Sequence, residues 1–146
     1  MKKMLLSLVA AGCFVLPLSV VYASDDIHDV SIKNAMEVMP EKVKNKLGDF
    51  KFYFGKDSKP FDYSAEGTIY TSKRTNGVFK NYQKSCNWAF YSALIDLKEQ
   101  SQAAGGKGVA DIESNWKNNP TSSKDTYVCG DGLLMSGVAL KGVVIK

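Results

Sequence analysis

Residues 84–106 read KSCNWAFYSALIDLKEQSQAAGG, and their spacing decides the fold. At 100° per residue, Cys86, Ala89, Phe90, Ala93, Leu94, Leu97 and Ala104 fall in one stripe, which predicts a core-facing helix over 84–104. Gly105 and Gly106 end it, because glycine readily takes the left-handed conformation that closes a helix. Trp88, Tyr91 and Ile95 lie on the opposite side of the same helix. Either another segment of the chain covers them or they form a partner-binding patch.

Working outward, the flanks read as strands. Toward the N-terminus, Phe50, Phe52 and Phe54 alternate as one face of a strand, and residues 55–60 form a loop. Residues 63–74 are a second strand with Ile69 and Tyr70 on opposite faces and Gly67 as a bulge. Thr75-Asn76-Gly77 is a turn signal. Pro40 starts a short helix over 41–47 that Gly48 stops, and residues 24–29 are polar and frayed. Toward the C-terminus, 108–116 and 125–130 read as strands joined, hairpin-fashion, through the polar loop 117–124. Residues 133–145 are one bent strand or two short ones. Strands on one main helix make a two-layer α+β domain, with a small antiparallel or mixed sheet.

The first 23 residues are an address. Lys2 and Lys3 precede the apolar run 4–16, Pro17 breaks it, and Val21 and Ala23 suit a signal-peptidase site before Ser24. The run is too short for a membrane-spanning helix. Residues 1–23 are therefore expected to be a Sec signal peptide and residues 24–146 a single periplasmic domain. A competing reading takes Ala11-Gly12-Cys13 as a lipoprotein box; Phe14, Val15 and Leu16 continue the apolar run where such a box turns polar.

Cleavage changes the arithmetic of the chain. Of 146 residues, 45% are apolar and 23% charged, with net charge +4. That excludes collagen-like, coiled-coil and disordered chains. Half of the net charge leaves with Lys2 and Lys3, so the basic excess argues little for nucleic acid. Three cysteines become two, Cys86 and Cys129. In an oxidising compartment an even pair favours a disulfide worth roughly 4 kcal/mol by chain entropy, the alternative being two buried thiols.

Several stretches are similar to a known group. Cys86-Asn87-Trp88-Ala89-Phe90, Ala104-Gly105-Gly106-Lys107-Gly108-Val109 and Tyr127-Val128-Cys129-Gly130-Asp131-Gly132 resemble small exported bacterial proteins of unknown function, often labelled excinuclease ATPase subunits. Phe52-Tyr53-Phe54-Gly55 and residues 71–76 extend the resemblance over most of residues 24–146. More remotely, the helix, its Gly-rich cap and the Val-Cys-Gly strand look like the outer-membrane stress sensor RcsF and the YbjQ-type domains. The resemblance implies an RcsF-like fold and an envelope location. RcsF-type proteins carry two disulfides and a lipid anchor, whereas the cysteines after residue 23 suffice for one bridge.

The chemistry implied by the excinuclease label is missing. A P-loop needs Gly-x-x-x-x-Gly-Lys-Ser/Thr ahead of a helix; here Gly106-Lys107 follows the helix, Ser101 stands in the first glycine's place and Gly108 in the hydroxyl's. No ATPase or DNA-repair activity is expected. His28, Cys86 and Cys129 are too scattered for zinc, and Asp125, Asp131 and the Asn118-Asn119 loop lack EF-hand spacing. No metal or cofactor is expected. Asp111 and Glu113 at i, i+2 would share a strand face, so a carboxylate pair for a small periplasmic hydrolase is the alternative reading; a solvated strand face is the plainer one.

One charge pattern stands out. No acid occurs between Glu66 and Asp96, while Lys73, Arg74, Lys80 and Lys84 interleave with Tyr70, Phe79, Tyr82 and Trp88. Such a stretch suits anionic polymers or lipid headgroups, or is a solvated loop whose aromatics belong to the core. The expectation is a non-enzymatic binding module, of the envelope-stress sensor or envelope-complex accessory type. Its partner would be an envelope protein or anionic envelope component, with membrane contact peripheral at most. The first contact site is Lys73, Arg74, Thr75 and Asn76; the second is Trp88, Tyr91 and Ile95.

Overall fold

A computed structural model describes residues 25–146; residues 1–23, read above as a signal peptide and including Cys13, and Ser24 lie outside the described residues. The elements run β1 (Asp26–Ser31), α1 (Ile32–Glu37), α2 (Glu41–Leu47), β2 (Lys51–Phe54), β3 (Ala65–Asn76), α3 (Tyr82–Ala103), β4 (Gly108–Trp116), β5 (Asn119–Thr121), β6 (Thr126–Asp131) and β7 (Met135–Ile145). The class is α+β: one mixed, open seven-stranded sheet with α3 packed against it.

Strand β7 is the spine. Along one side it pairs antiparallel with the whole of β3, from Ala65 opposite Ile145 to Asn76 opposite Met135. On its other side β4 takes the C-terminal half and β6 the N-terminal end. Strand β1 adds antiparallel to β6, and β2 adds parallel to β4. Glycines in β7 permit this crowding: a Cβ at Gly142 would overlap the Val109 side chain of β4.

Helix α3 behaves as its spacing demands. Asn81 caps it, its Oδ1 accepting from the Gln83 amide at 2.8 Å, and Gly105 follows the end at φ +74°. Cys86, Ala89, Phe90, Ala93, Leu94 and Leu97 are all fully buried. The Phe90 ring stacks on Tyr127 of β6 at 4.1 Å and 2°, and a disulfide joins Cys86 to Cys129. Ala104 is a correction, being exposed. Ser101 completes the buried stripe instead, its hydroxyl donating to the Gly108 carbonyl at 2.9 Å.

The opposite side of α3 is also covered. Tyr91 is buried and its hydroxyl donates to the Ala35 carbonyl of α1 at 2.6 Å; Lys98 Nζ donates to the Lys46 carbonyl at the end of α2 at 2.6 Å. The α1–α2 segment is a cover over α3, and Trp88 and Ile95 are half-buried beside it. The reading of Trp88, Tyr91 and Ile95 as one open patch is corrected accordingly.

Three further corrections have a common cause, pairing with distant chain. Residues 26–31 are not frayed but form β1 against β6, with Val30 buried. Segments 108–116 and 125–130 are not hairpin partners. Instead β4 turns at Lys117 and Asn118, both at positive φ, to pair with β5, and β6 lies on β1 and β7. Strand β3 continues through Thr75 and Asn76, so these residues belong to a strand end and the turn follows them. Leu133 and Leu134 precede β7 as a loop.

Candidate functional site

The alternation of β3 divides the first expected contact site between two faces. Lys73 projects to the helix side, where its Nζ lies 3.0 Å from Asp96 Oδ1 of α3. Burial raises the pKa of Asp96, but hydrogen bonds from groups including Lys73 and Gln100, and the Lys73 charge, outweigh it and hold the carboxyl below its ordinary range. Arg74 is on the outer face with Tyr70, where both line a cleft of about 440 Å³ beside Trp116. Thr75 is half-buried, and Asn76 Oδ1 accepts from the Val78 amide at 2.8 Å. Lys73, Arg74, Thr75 and Asn76 are therefore not brought together as a single surface.

Asp111 and Glu113 have separate partners. The register of β4 shifts between Ala110 and Glu113, and Asp111 sits at φ +51°, so the period-2 alternation fails there. The Asp111 carboxylate accepts from the Ser58 amide at 2.7 Å and the Lys59 amide at 3.3 Å, anchoring the loop after β2. Glu113 pairs with Lys141, directly opposite it on β7, at 3.0 Å. His28 lies against the Tyr82 ring, centroids 3.9 Å apart. Among the described residues no group of three or more His, Cys, Asp or Glu is placed to hold a metal ion.

What the structure does bring together is an apolar tip at one end of the sheet. The β6–β7 loop exposes Leu133 at 84% and Leu134 at 63%, with Met135 half-exposed behind them. The β3–α3 loop lies alongside, its Gly77 amide donating to the Leu134 carbonyl at 2.9 Å. It presents Phe79 fully exposed at φ +56°. A bulky residue in the left-handed region is strained, so backbone strain here goes with an aromatic ring held in water.

Cations flank the tip. Lys80 Nζ donates to the Asn76 carbonyl at 2.8 Å, and Arg74 lines a cleft of about 360 Å³ together with Leu133, Leu134 and Met135. The floor of that cleft is Trp116, whose ring occupies the space that side chains at Gly130 and Gly137 would fill. Of the two neighbouring acids, Asp25 lines the same cleft and is paired with Lys117 at 3.5 Å, while Asp131 turns inward, its Oδ1 accepting from the Ser136 hydroxyl at 2.5 Å, and Ser136 meets Ser85 of α3 at 2.6 Å. Sequence reasoning took Leu133 and Leu134 as strand. The Gly130-Asp131-Gly132 run before them was the signal that they begin in a turn.

A third concavity lies between the α1–α2 cover and the start of α3. It encloses about 410 Å³ and is lined by Val38, Trp88 and Tyr91 on its apolar side and by Asn34, Gln83 and Asn87 on its polar side. Lys42 Nζ sits 4.9 Å from the Trp88 ring centroid, and Tyr91 meets that ring edge-on at 5.8 Å. Burial pushes the Tyr91 and Tyr127 phenols up, so both are neutral donors. The chain matches no protein-family model, no curated protein and no solved structure.

Proposed function

We propose that this chain is an exported, non-enzymatic binding module of the cell envelope, residues 24–146 acting in the periplasm after removal of residues 1–23. In this reading it contacts an anionic lipid surface peripherally through the tip formed by Phe79, Leu133 and Leu134. The observation that carries the reading is the concentration of fully or largely exposed apolar side chains on two adjoining loops flanked by Arg74 and Lys80. Convex apolar loops with a cationic rim suit the boundary between headgroups and acyl chains, where the rings and methyls leave water and the cations meet phosphate. A protein groove would need a concave partner for three separate protrusions.

The Cys86–Cys129 bridge is consistent with an oxidising compartment. Among the described residues no helix is long and apolar enough to cross a membrane. The resemblance to RcsF-type and YbjQ-type domains supports a sensor or accessory role, and no cofactor enters the reading.

Sedimentation with vesicles tests it. The protein is expected to pellet with phosphatidylethanolamine–phosphatidylglycerol vesicles, less with zwitterionic phosphatidylcholine, and the combined Phe79→Ser and Leu134→Ser change abolishes pelleting. Wild-type protein that stays in the supernatant with both vesicle types overturns the lipid reading. Crosslinking to one envelope protein through Phe79 instead would assign the tip to a protein partner.

A further inference from the structure

We propose that the cleft between the α1–α2 cover and the start of α3 binds an N-acylated sugar. Its volume of about 410 Å³ lies in the ordinary range of small-molecule sites. This inference does not depend on the lipid contact, because Phe79, Leu133 and Leu134 do not line the cleft.

Asn87 carries the argument. It is 6% exposed, yet it lines the cleft. The Tyr127 hydroxyl donates to its Oδ1 at 2.8 Å. That bond turns the amide so that Nδ2 is the free end, and no protein group among the described residues accepts from it. The nitrogen is not sealed in the core either, since the buried polar side-chain atoms without partners are Thr71 Oγ1 and Trp116 Nε1. A nearly buried amide thus has its N–H open to the cleft, where water accepts from it until a ligand oxygen takes water's place.

The rim repeats the same polarity. Gln83 Nε2 donates to Asn34 Oδ1 at 3.1 Å, and the Gln83 amide takes up Asn81 Oδ1 at 2.8 Å. Both asparagine oxygens are engaged, leaving their amide N–H groups free. Lys84 adds one cation, and no carboxylate lines the cleft. A donor-rich set with a single exposed charge selects an acceptor-rich, largely uncharged ligand; a phosphate would call for more cations.

The facing wall is aromatic. Trp88 is held between Lys42 and Tyr91, so its orientation is set before a ligand arrives. An N-acylated sugar meets both halves of the cleft: its acyl carbonyl and ring hydroxyl oxygens accept from Asn87, Asn34 and Asn81, while its C–H face and acyl methyl pack on Trp88 and Tyr91.

The test is a titration of the disulfide-bonded protein with triacetylchitotriose, followed by NMR, with cellotriose and inorganic phosphate as controls. Triacetylchitotriose is expected to shift the Asn87 side-chain amide and Trp88 indole resonances saturably, with cellotriose and phosphate at least about tenfold weaker. Asn87→Asp keeps the acceptor for Tyr127 but loses the donor, and weakens binding by about tenfold or more. Gln83→Ala, at an exposed position, weakens it by a few-fold and keeps the test alive if Asn87→Asp fails to fold. Absence of saturable shifts overturns the site. Equal affinity for cellotriose overturns the acyl group's role, and tighter binding of phosphate overturns the ligand class. Unchanged affinity in Gln83→Ala and Trp88→Leu places the ligand elsewhere and also overturns the proposal.

Discussion

Strand β6 carries Cys129 into the driest part of the molecule, and the loop after it carries Leu133 into water four residues later. Around Cys129 everything is tied: the bridge to Cys86, the Phe90–Tyr127 stack, and the Tyr127 hydroxyl on Asn87 all join α3 to one strand. Around Leu133 the loops are held by backbone hydrogen bonds, and the side chains of Phe79, Leu133 and Leu134 are largely free. Stability is concentrated where α3 meets the sheet, and the apolar surface that contributes little to it is gathered at the tip. Mutations should therefore separate the two regions by their effect on folding.

The largest expected effect is at the bridge. Cys86→Ala with Cys129→Ala opens a loop of 43 residues, and chain entropy gives a loss of roughly 4 kcal/mol. Urea unfolding of wild type with and without reductant, beside the double variant, measures it. Reduced wild type should fall to the variant's midpoint; a difference under about 1 kcal/mol between oxidised and reduced protein would mean that the packing around Phe90 holds the two layers unaided.

How much of this was legible follows from where the information lies. The stripe on α3 and the pairing of Cys86 with Cys129 could be read because helical periodicity is local and cysteine arithmetic needs no geometry. Strand β1 could not, because Asp26, His28 and Asp29 look like a solvated tail until β6, a hundred residues on, supplies the hydrogen-bond partners. The Asp111–Glu113 pair failed for a related reason: period 2 assumes an unbroken strand, and the bulge at Asp111 is stabilised by the Ser58 loop, which no local pattern encodes. Asn87 has no distinguishing local pattern; its hydrogen bond comes from Tyr127, on a strand forty residues away. Phe79 stands out only as one of the aromatics of the acid-free basic stretch and Leu133 reads as a strand residue, since exposure is a property of the folded surface.

A middle effect is expected between the two regions, at the ion pair of Lys73 with Asp96. Both side chains are partly exposed, 38% and 26%, so removal of Lys73 is expected to cost less than about 1 kcal/mol. The sign with pH follows from the depressed Asp96 pKa. The contribution is complete above the ordinary carboxylate range and disappears as pH falls through the lowered folded-state value. Lys73→Ala should thus differ from wild type in urea midpoint at neutral pH and converge with it in strong acid. A difference that persists in acid would assign the loss to packing of the lysine stem on α3.

The smallest effect on stability is expected at the tip, and it has the opposite sign to intuition. Phe79 is fully exposed at φ +56°, so its ring contributes no burial and its backbone is strained. Glycine occupies that region without the steric penalty, while gaining freedom in the unfolded chain. Phe79→Gly is therefore expected to leave stability unchanged or to raise it by up to about 1 kcal/mol. The same change should reduce pelleting with anionic vesicles several-fold, because the most protruding ring is gone. Thermal unfolding and vesicle sedimentation on one preparation check both halves. A loss of more than about 1 kcal/mol would show that the ring packs against the fold in solution, and the contrast between a tied β6 and a free tip would then fail at its simplest point.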